Sequence, residues 1–282
     1  MERPLEISSG IDAFAARTPT PPPATHTNSY ALGARDVLLV EPATPYADEQ
    51  RAFIDWARGL ASSGRNLVAI FATHHHPDHV GGAEVFAREL GLPIWAHRLT
   101  ADRLARARVS RLLEDGEVLT LAGLTPQRWS VLHTPGHAPG HLCLHEPELG
   151  YLVAGDMVAS EGTVLIDPVD GDMAEYLEQL GRLRELGVRV ALPAHGGPIA
   201  EPDAMFDYYV QHRRLREERI VEVLRHAPAE GDTIEELVTR AYDDKPRSVW
   251  PLARLSTAAH LVKLVREGRV RERDGRYAVA PS

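Results

Sequence analysis

Thr73-His74-His75-His76-Pro77-Asp78-His79 concentrates four of the chain's 14 histidines in one short run. It directly follows Leu67–Ala72, an apolar stretch that reads as a strand. Side chains two apart in an extended segment point the same way, so His74 and His76 can converge on one ion while His75 faces elsewhere. Pro77 breaks the strand, and Gly81-Gly82 is expected to free the chain for a helix from about Ala83. Asp78 and His79 then sit on a turn, able to address a second ion close to the first. Neutral imidazole and carboxylate donors suit divalent ions of hard to borderline character, zinc first among them. Three later segments end strands on the same residue types: His133-Thr134-Pro135-Gly136-His137, Gly155-Asp156 and Pro193-Ala194-His195-Gly196. Strand ends are where α/β proteins usually build their sites.

The elements that must hold these residues follow from periodicity. Strands are expected at Asp36–Val40, Leu67–Thr73, Pro93–Ala96, Trp129–His133, His141–His145, Tyr151–Ala154, Thr163–Ile166 and Val188–Leu192. Phe53, Trp56, Ala57 and Leu60 recur at helical spacing between Ala47 and Ala61. Asp172 and Glu175 resemble a capping box, opening a helix with Tyr176, Leu177, Leu180 and Leu183 inward. Up to about Ala24 the chain is rich in Pro, Thr and Ser and reads as an irregular lead-in. This alternation predicts an α/β layered body over residues 1–200. Residues 201–282 change character, with helices expected at about Met205–His226, Thr233–Tyr242 and Leu252–Glu267. The last of these is expected to line Leu252, Leu255, Ala259, Val262 and Val265 along one side. A hairpin follows around Asp274-Gly275. Three helices and a hairpin predict a second, winged-helix domain.

Composition narrows the setting. No run approaches the roughly 18 apolar residues a membrane helix needs, and Met1–Thr20 lacks the charged-then-apolar pattern of a signal peptide. The single cysteine, Cys143, excludes an internal disulfide and a thiolate cluster. A cytoplasmic location is expected. The net charge of −9 belongs to residues 1–200, with 16 basic and 25 acidic side chains, and the remainder is balanced at 15 of each. Residues 245–276 nonetheless hold nine basic side chains against three acidic ones. An acidic body repels a polyanion at long range, whereas a basic tip can still hold one locally. Cys143 reads as a packed residue, His133 as a packed residue or one that stands behind the ligands, and His141 as a structural residue, with a place at the border of the site as the alternative. The arginines Arg269, Arg271, Arg273 and Arg276 read as a solvated hairpin face, with a nucleic-acid contact as the sharper alternative.

The run His74–His79, with His137, Asp156 and His195 in order, resembles the metallo-β-lactamase-fold hydrolases over roughly residues 28–200. The resemblance implies an αββα sandwich with two sheets and metals at one edge. It also implies that His74, His76 and His137 hold one metal, that Asp78, His79 and His195 hold the second, and that Asp156 bridges them. Every one of these positions is filled. Ser160-Glu161-Gly162-Thr163, Gly196-Gly197-Pro198-Ile199 and Tyr209-Val210-Gln211-His212-Arg213 are similar to the lactamase-β-like 2 subgroup. Its members carry a C-terminal winged-helix-like domain, and they include a single-strand-specific endoribonuclease and, by shared architecture, polyketide thioesterases. Where many relatives end a strand with Asp behind the ligands, this chain has Val40-Glu41-Pro42, whose reach differs.

The expected chemistry is that of two zinc ions sharing a hydroxide, with Asp78 also holding or shuttling a proton. Iron or manganese would suit the same donors. Such a nucleophile attacks an acyl carbon or a phosphorus centre, and the ligand set does not distinguish them. The acidic body favours a small ester, thioester or lactone. The alternative substrate is single-stranded RNA, favoured by the subgroup resemblance and the basic stretch. Mononuclear iron chemistry on sulfur compounds uses fewer of these ligands, and a non-catalytic nucleic-acid module would need only the winged helix. Only 38 residues separate Asp156 from His195, too few for an inserted nuclease domain. True β-lactamase activity is disfavoured, because Asp156 stands where those enzymes carry a thiolate or serine.

Overall fold

The structure, a computed structural model, describes residues 3–104 and 106–281. They form two compact units: 3–104, 106–134, 138–163 and 187–202 make the first, and 135–137, 164–186 and 203–281 the second.

The first unit is built on two sheets. One runs in chain order through β1 (Leu5–Ser8), β2 (Ile11–Arg17), β3 (His26–Leu32), β4 (Asp36–Val40), β5 (Asn66–Phe71), β6 (Ile94–Ala96) and β7 (Val109–Leu112). Pairing is antiparallel as far as β4 and parallel from β4 to β7. The parallel crossovers pass through helices α1 (Ala47–Ser62), α2 (Pro77–Val80), α3 (Ala83–Leu90) and α4 (Arg98–Ala101). The second sheet comprises β8 (Val118–Leu121), β9 (Gln127–His133), β10 (Leu142–Glu146), β11 (Tyr151–Gly155) and β12 (Val190–Pro193), in the order β12-β11-β10-β9-β8. Strand alternation divides the core. Leu38, Val40 and Phe71 pack with Trp129, Val131, Leu144 and Val153 of the other sheet. Val37, Leu39 and Ile70 pack outward on Phe53, Trp56 and Phe86 of the helices. Phe53 stacks on Phe86 with centroids 4.1 Å apart.

The lead-in expectation is overturned, since β1 and β2 lie within it. Ile11, Phe14, Ala15 and Ala16 are all buried, so the strand is apolar on both faces and shows little alternation. Thr163–Ile166, expected as a strand, has no regular secondary structure. Gly81 and Gly82 also act differently from expectation, because both have negative φ. A Cβ on Gly81 would meet Pro77 O at 2.7 Å and Pro45 N at 2.9 Å. Close packing under the turn that carries Asp78 and His79, not backbone freedom, is what they supply.

In the second unit, α5 (Met173–Arg184) is capped by Asp172, whose carboxylate accepts from Ala174 N and Glu175 N. Met173, Tyr176, Leu180 and Leu183 are its buried face. The chain continues through α6 (Pro202–Arg225), α7 (Ile234–Ala241), α8 (Trp250–Arg266) and the hairpin β13 (Val270–Arg273) and β14 (Arg276–Val279). Thr233 and Glu236 form a reciprocal capping box for α7. Asp274 and Gly275 both take positive φ (53° and 74°), as a two-residue turn between right-twisted strands requires. The face of α8 differs from expectation. Ala253, Thr257, His260, Leu261 and Leu264 are buried, while Val262 and Val265 are exposed. Apolar residues occur around most of this helix, so periodicity alone could not select the packed side.

Candidate metal centre

Parallel pairing brings the ligand-type residues to common edges. β11 and β12 run side by side with Gly155 opposite Pro193, so Asp156 and the 194–196 turn emerge together. β4 and β5 do the same with Val40 opposite Phe71, which sets Glu41 beside Ala72 and Thr73. The chain beyond β5 bends at Thr73, is extended at His76 (φ −62°, ψ 145°), and then turns into α2 with Pro77 in its first turn. His74 and His76 therefore fall on one side, with His74 Nε2 3.0 Å from His76 Nδ1. Two imidazole lone pairs approach that closely only around a proton or a cation.

Asp78, His79, Asp156 and His195 form the second group. His79 Nε2 lies 3.5 Å from Asp156 Oδ1 and 3.7 Å from Asp78 Oδ2. His195 Nε2 lies 3.4 Å from Asp156 Oδ1 and 3.6 Å from Asp78 Oδ2. These gaps exceed hydrogen-bond lengths. They match the edge, about 3.3–3.6 Å, of a tetrahedron whose ligands sit about 2.0–2.2 Å from a central ion. His79 Nε2 is fully buried and makes no hydrogen bond among the described residues. A polar atom in that position costs free energy unless something charged satisfies it. The donors present thus fit a divalent ion.

The nitrogens facing away from this group are fixed by other partners. His79 Nδ1 is 3.0 Å from Glu41 Oε1, and His195 Nδ1 is 2.9 Å from the His26 carbonyl. His137, on the turn that leaves β9, has Nδ1 2.9 Å from the Leu165 carbonyl. In each case an Nδ1–H donor leaves the lone pair on Nε2. Burial would push the His79 pKa down, but the charges of Asp156, Asp78 and Glu41 outweigh it and hold the pKa well above the usual imidazole range. For His195 burial is likewise outweighed, chiefly by Asp156. Burial would raise Asp156, yet His195 and His79 hold it well below the carboxylate range. The cage demands positive charge, from protons or from cations.

Glu41 reaches the site despite the added methylene. It is buried, takes φ 59°, and accepts from Thr73 Oγ1 at 2.5 Å as well as from His79. Thr73 Oγ1 is in turn 2.9 Å from His74 Nδ1. One carboxylate therefore orients His79 directly and His74 through a hydroxyl. Glu41, His74 and His79 also offer donor atoms within 4.8 Å of one another. The carboxylate is already committed to those hydrogen bonds, however, which puts it behind the ions rather than on them.

Asn28, named in the sequence only as the start of the resembling region, clamps the His195 turn. Its Nδ2 donates to Pro193 O (3.0 Å) and Gly196 O (2.7 Å), and its backbone N donates to Ala194 O (2.7 Å). His133 stacks on His97 with centroids 4.2 Å apart, a packing role. Cys143 is a buried thiol.

Comparison with known proteins places the chain in a family. A Drosophila melanogaster protein named beta-lactamase-like protein 2 homolog is 26% identical over 279 residues, covering 94% of this chain and 91% of its own. An Aspergillus chevalieri atrochrysone carboxyl ACP thioesterase is 27% identical over 230 residues, covering 79% and 70%. A crystal structure of a metallo-beta-lactamase family protein from Thermus thermophilus superposes with a TM-score of 0.79 at 27% identity, covering 97% of this chain and 100% of that one. Residues 233–277 match the beta-lactamase associated winged helix domain, in agreement with the α7–α8–hairpin arrangement. Residues 22–195 match the metallo-beta-lactamase superfamily, and the chain belongs to that superfamily of hydrolases.

Proposed function

We propose that this protein is a binuclear zinc hydrolase acting on a small ester, thioester or lactone. The observation that carries the metal reading is the set of four donor atoms, His79 Nε2, His195 Nε2, Asp78 Oδ2 and Asp156 Oδ1, held 3.4–3.7 Å apart across both imidazole–carboxylate pairs. His74 and His76 would hold the other ion with His137, which the family pattern supplies as the third ligand, and Asp156 would serve both. When bound, two such ions supply Lewis acidity and bring the pKa of a water towards neutrality.

The chain's own residues perform the remaining tasks. Asp78 Oδ2 faces both imidazoles of the second group; with that oxygen turned to the ion, the other carboxylate oxygen of Asp78 would hold the proton released as the nucleophile forms. Glu41 and the His26 carbonyl keep His79 and His195 in the tautomer that presents Nε2. Support for an acyl substrate comes from relatives named as thioesterases and from a hydroxyacylglutathione hydrolase, 35% identical over 154 residues. Three of the four hairpin arginines add to it, while Arg271 donates to the Ala229 carbonyl rather than to an acid. Arg269 pairs with Glu217 and Glu267, Arg276 lies 3.4 Å from Glu236, and Arg273 lies 3.6 Å from Asp274. Arginines neutralised in this way present little net charge to a phosphate backbone. No helix among the described residues is long and apolar enough to cross a membrane.

The test is a parallel assay of the zinc-loaded protein and an Asp78→Ala/His79→Ala variant on an acyl thioester, a lactone and single-stranded RNA. Thioester or lactone turnover that the variant loses, with RNA left intact, is the expected result. RNA cleavage that the variant loses, with both acyl substrates inert, overturns the substrate reading. One iron per chain on metal analysis overturns the di-zinc reading.

A further inference from the structure

His141 makes a buried hydrogen-bond chain that the proposed chemistry does not use. Its side chain is inaccessible to solvent and its ring centroid is 5.2 Å from that of His74. The backbone N–H of Asp156 donates to His141 Nε2 at 3.0 Å. A neutral imidazole carries one proton, so Nε2 as acceptor places that proton on Nδ1. Nδ1 in turn lies 2.8 Å from Thr134 Oγ1, which therefore accepts. The Thr134 hydroxyl proton is left to face Cys143 Sγ at 3.3 Å, and the thiol donates onward to Ala154 O at 3.5 Å. Every donor in the chain points the same way, and both ends close on β11 and the residue that follows it.

The backbone at Gly155 is shaped to admit this ring. Gly155 has φ 49°, and a Cβ there would sit 2.5 Å from His141 Nε2. The left-handed kink turns the chain out of β11 to present Asp156, and the missing Cβ lets the imidazole reach the next peptide N–H. The chain is anchored on the other side too, since Leu142 N donates to Thr73 O at 2.9 Å, next to His74.

We infer that His141 is a positioning residue for Asp156, holding the backbone of the carboxylate that serves both ions, with Thr134 fixing the tautomer that makes this hold work. The inference rests on the metal-centre reading above. Loss of a group that orients a ligand weakens metal binding about 10- to 100-fold.

The test measures zinc stoichiometry and affinity by competition with a chromophoric chelator, alongside thermal melting of the metal-free protein. His141→Phe keeps the bulk but removes the acceptor. His141→Gln can accept from Asp156 N with its carbonyl and donate to Thr134 with its amide. Leu144→Ala, on β10 and fully buried, creates a cavity without touching the chain and serves as the stability control. The expected result is a 10- to 100-fold weaker ion in His141→Phe, recovery in His141→Gln, and parental affinity in Leu144→Ala despite its lower melting temperature. Parental affinity in His141→Phe, or equal weakening in Leu144→Ala, overturns the inference. If His141→Phe does not fold, Thr134→Val compared with His141→Gln decides it. Weaker binding in Thr134→Val supports the inference, and parental binding in Thr134→Val overturns it. A parent that takes up no zinc overturns the metal reading, and this inference with it; a parent that binds zinc with indifferent variants overturns this inference alone.

Discussion

Replacing Glu41 by Gln removes one negative charge from behind the metal centre while keeping the side chain's shape. The Glu41 carboxylate is 1% exposed and Oε1 takes both the Thr73 hydroxyl (2.5 Å) and His79 Nδ1–H (3.0 Å). The Gln carbonyl oxygen can accept both, while its amide N–H2 takes the place of Oε2, which accepts only the long contact from Thr73 N at 3.4 Å. What is lost is the ionic part of each bond, since hydrogen bonds to charged groups contribute about 1.5–3 kcal/mol and neutral ones about 0.5–1.5. The difference of about 1–2 kcal/mol on the His79 bond corresponds to roughly 5- to 30-fold weaker binding of the ion it serves. The ion held by His74 should weaken less, because Thr73 intervenes. Glu41→Ala differs in kind, since it strands three buried donors, the Thr73 hydroxyl, the His79 Nδ1–H and, at 3.4 Å, the Thr73 N–H, and should cost about 2–6 kcal/mol of folding stability. Glu41→Asp withdraws the acceptor by about 1.5 Å and should bind zinc more weakly than Glu41→Gln. The assay is calorimetric or competitive zinc titration of all three variants beside urea unfolding of their metal-free forms. If Glu41→Gln bound both ions like the parent, the carboxylate charge would play no part and the reasoning would fail.

Two further predictions concern the scaffold. Asn28→Ala leaves the Gly196 carbonyl without its side-chain donor, while the Pro193 carbonyl keeps the Tyr30 hydroxyl at 2.6 Å, and should cost about 1–3 kcal/mol, whereas Asn28→Asp sets a carboxylate against two carbonyl oxygens and should cost more. Urea unfolding checks the order, and an Asp variant as stable as the parent would remove the clamp. In the second unit, burial would raise the Glu217 pKa, but contacts with His260, Lys263 and Arg269 lower it to about 2. A carboxylate depressed in the folded state adds stability that is complete above its unfolded pKa, near 4.5, and disappears as pH falls towards 2. The stability gap between parent and Glu217→Gln should therefore narrow by about 2–3 kcal/mol from pH 6 to pH 2. A gap independent of pH in urea titrations would contradict it.

The second strand shows where pattern reading stops. Ile11–Arg17 is a strand because β1 and β3 pair with it and because helices and the opposite sheet cover its two faces. The run of prolines just after it hid this in the sequence, although its two-sided apolarity was a usable signal. On α8, the sequence offered apolar residues on several sides, and packing chose the side carrying Thr257 and His260.

The sequence by itself determined which residues are offered as candidate ligands, because His74, His76, Asp78, His79, Asp156 and His195 are each tied to a strand end or turn by local rules of spacing and chain breaking. Parallel pairing of adjacent strands then needed only to align those ends. Tertiary structure alone decided which groups stand behind the ligands. Glu41 reaches His79 across 38 positions of chain, and Asn28 reaches Gly196 across 168. His141 reaches Asp156 across 15. No periodicity encodes such contacts, since they depend on strand register and on a kink at Gly155 that brings a peptide N–H within 3.0 Å of a buried imidazole.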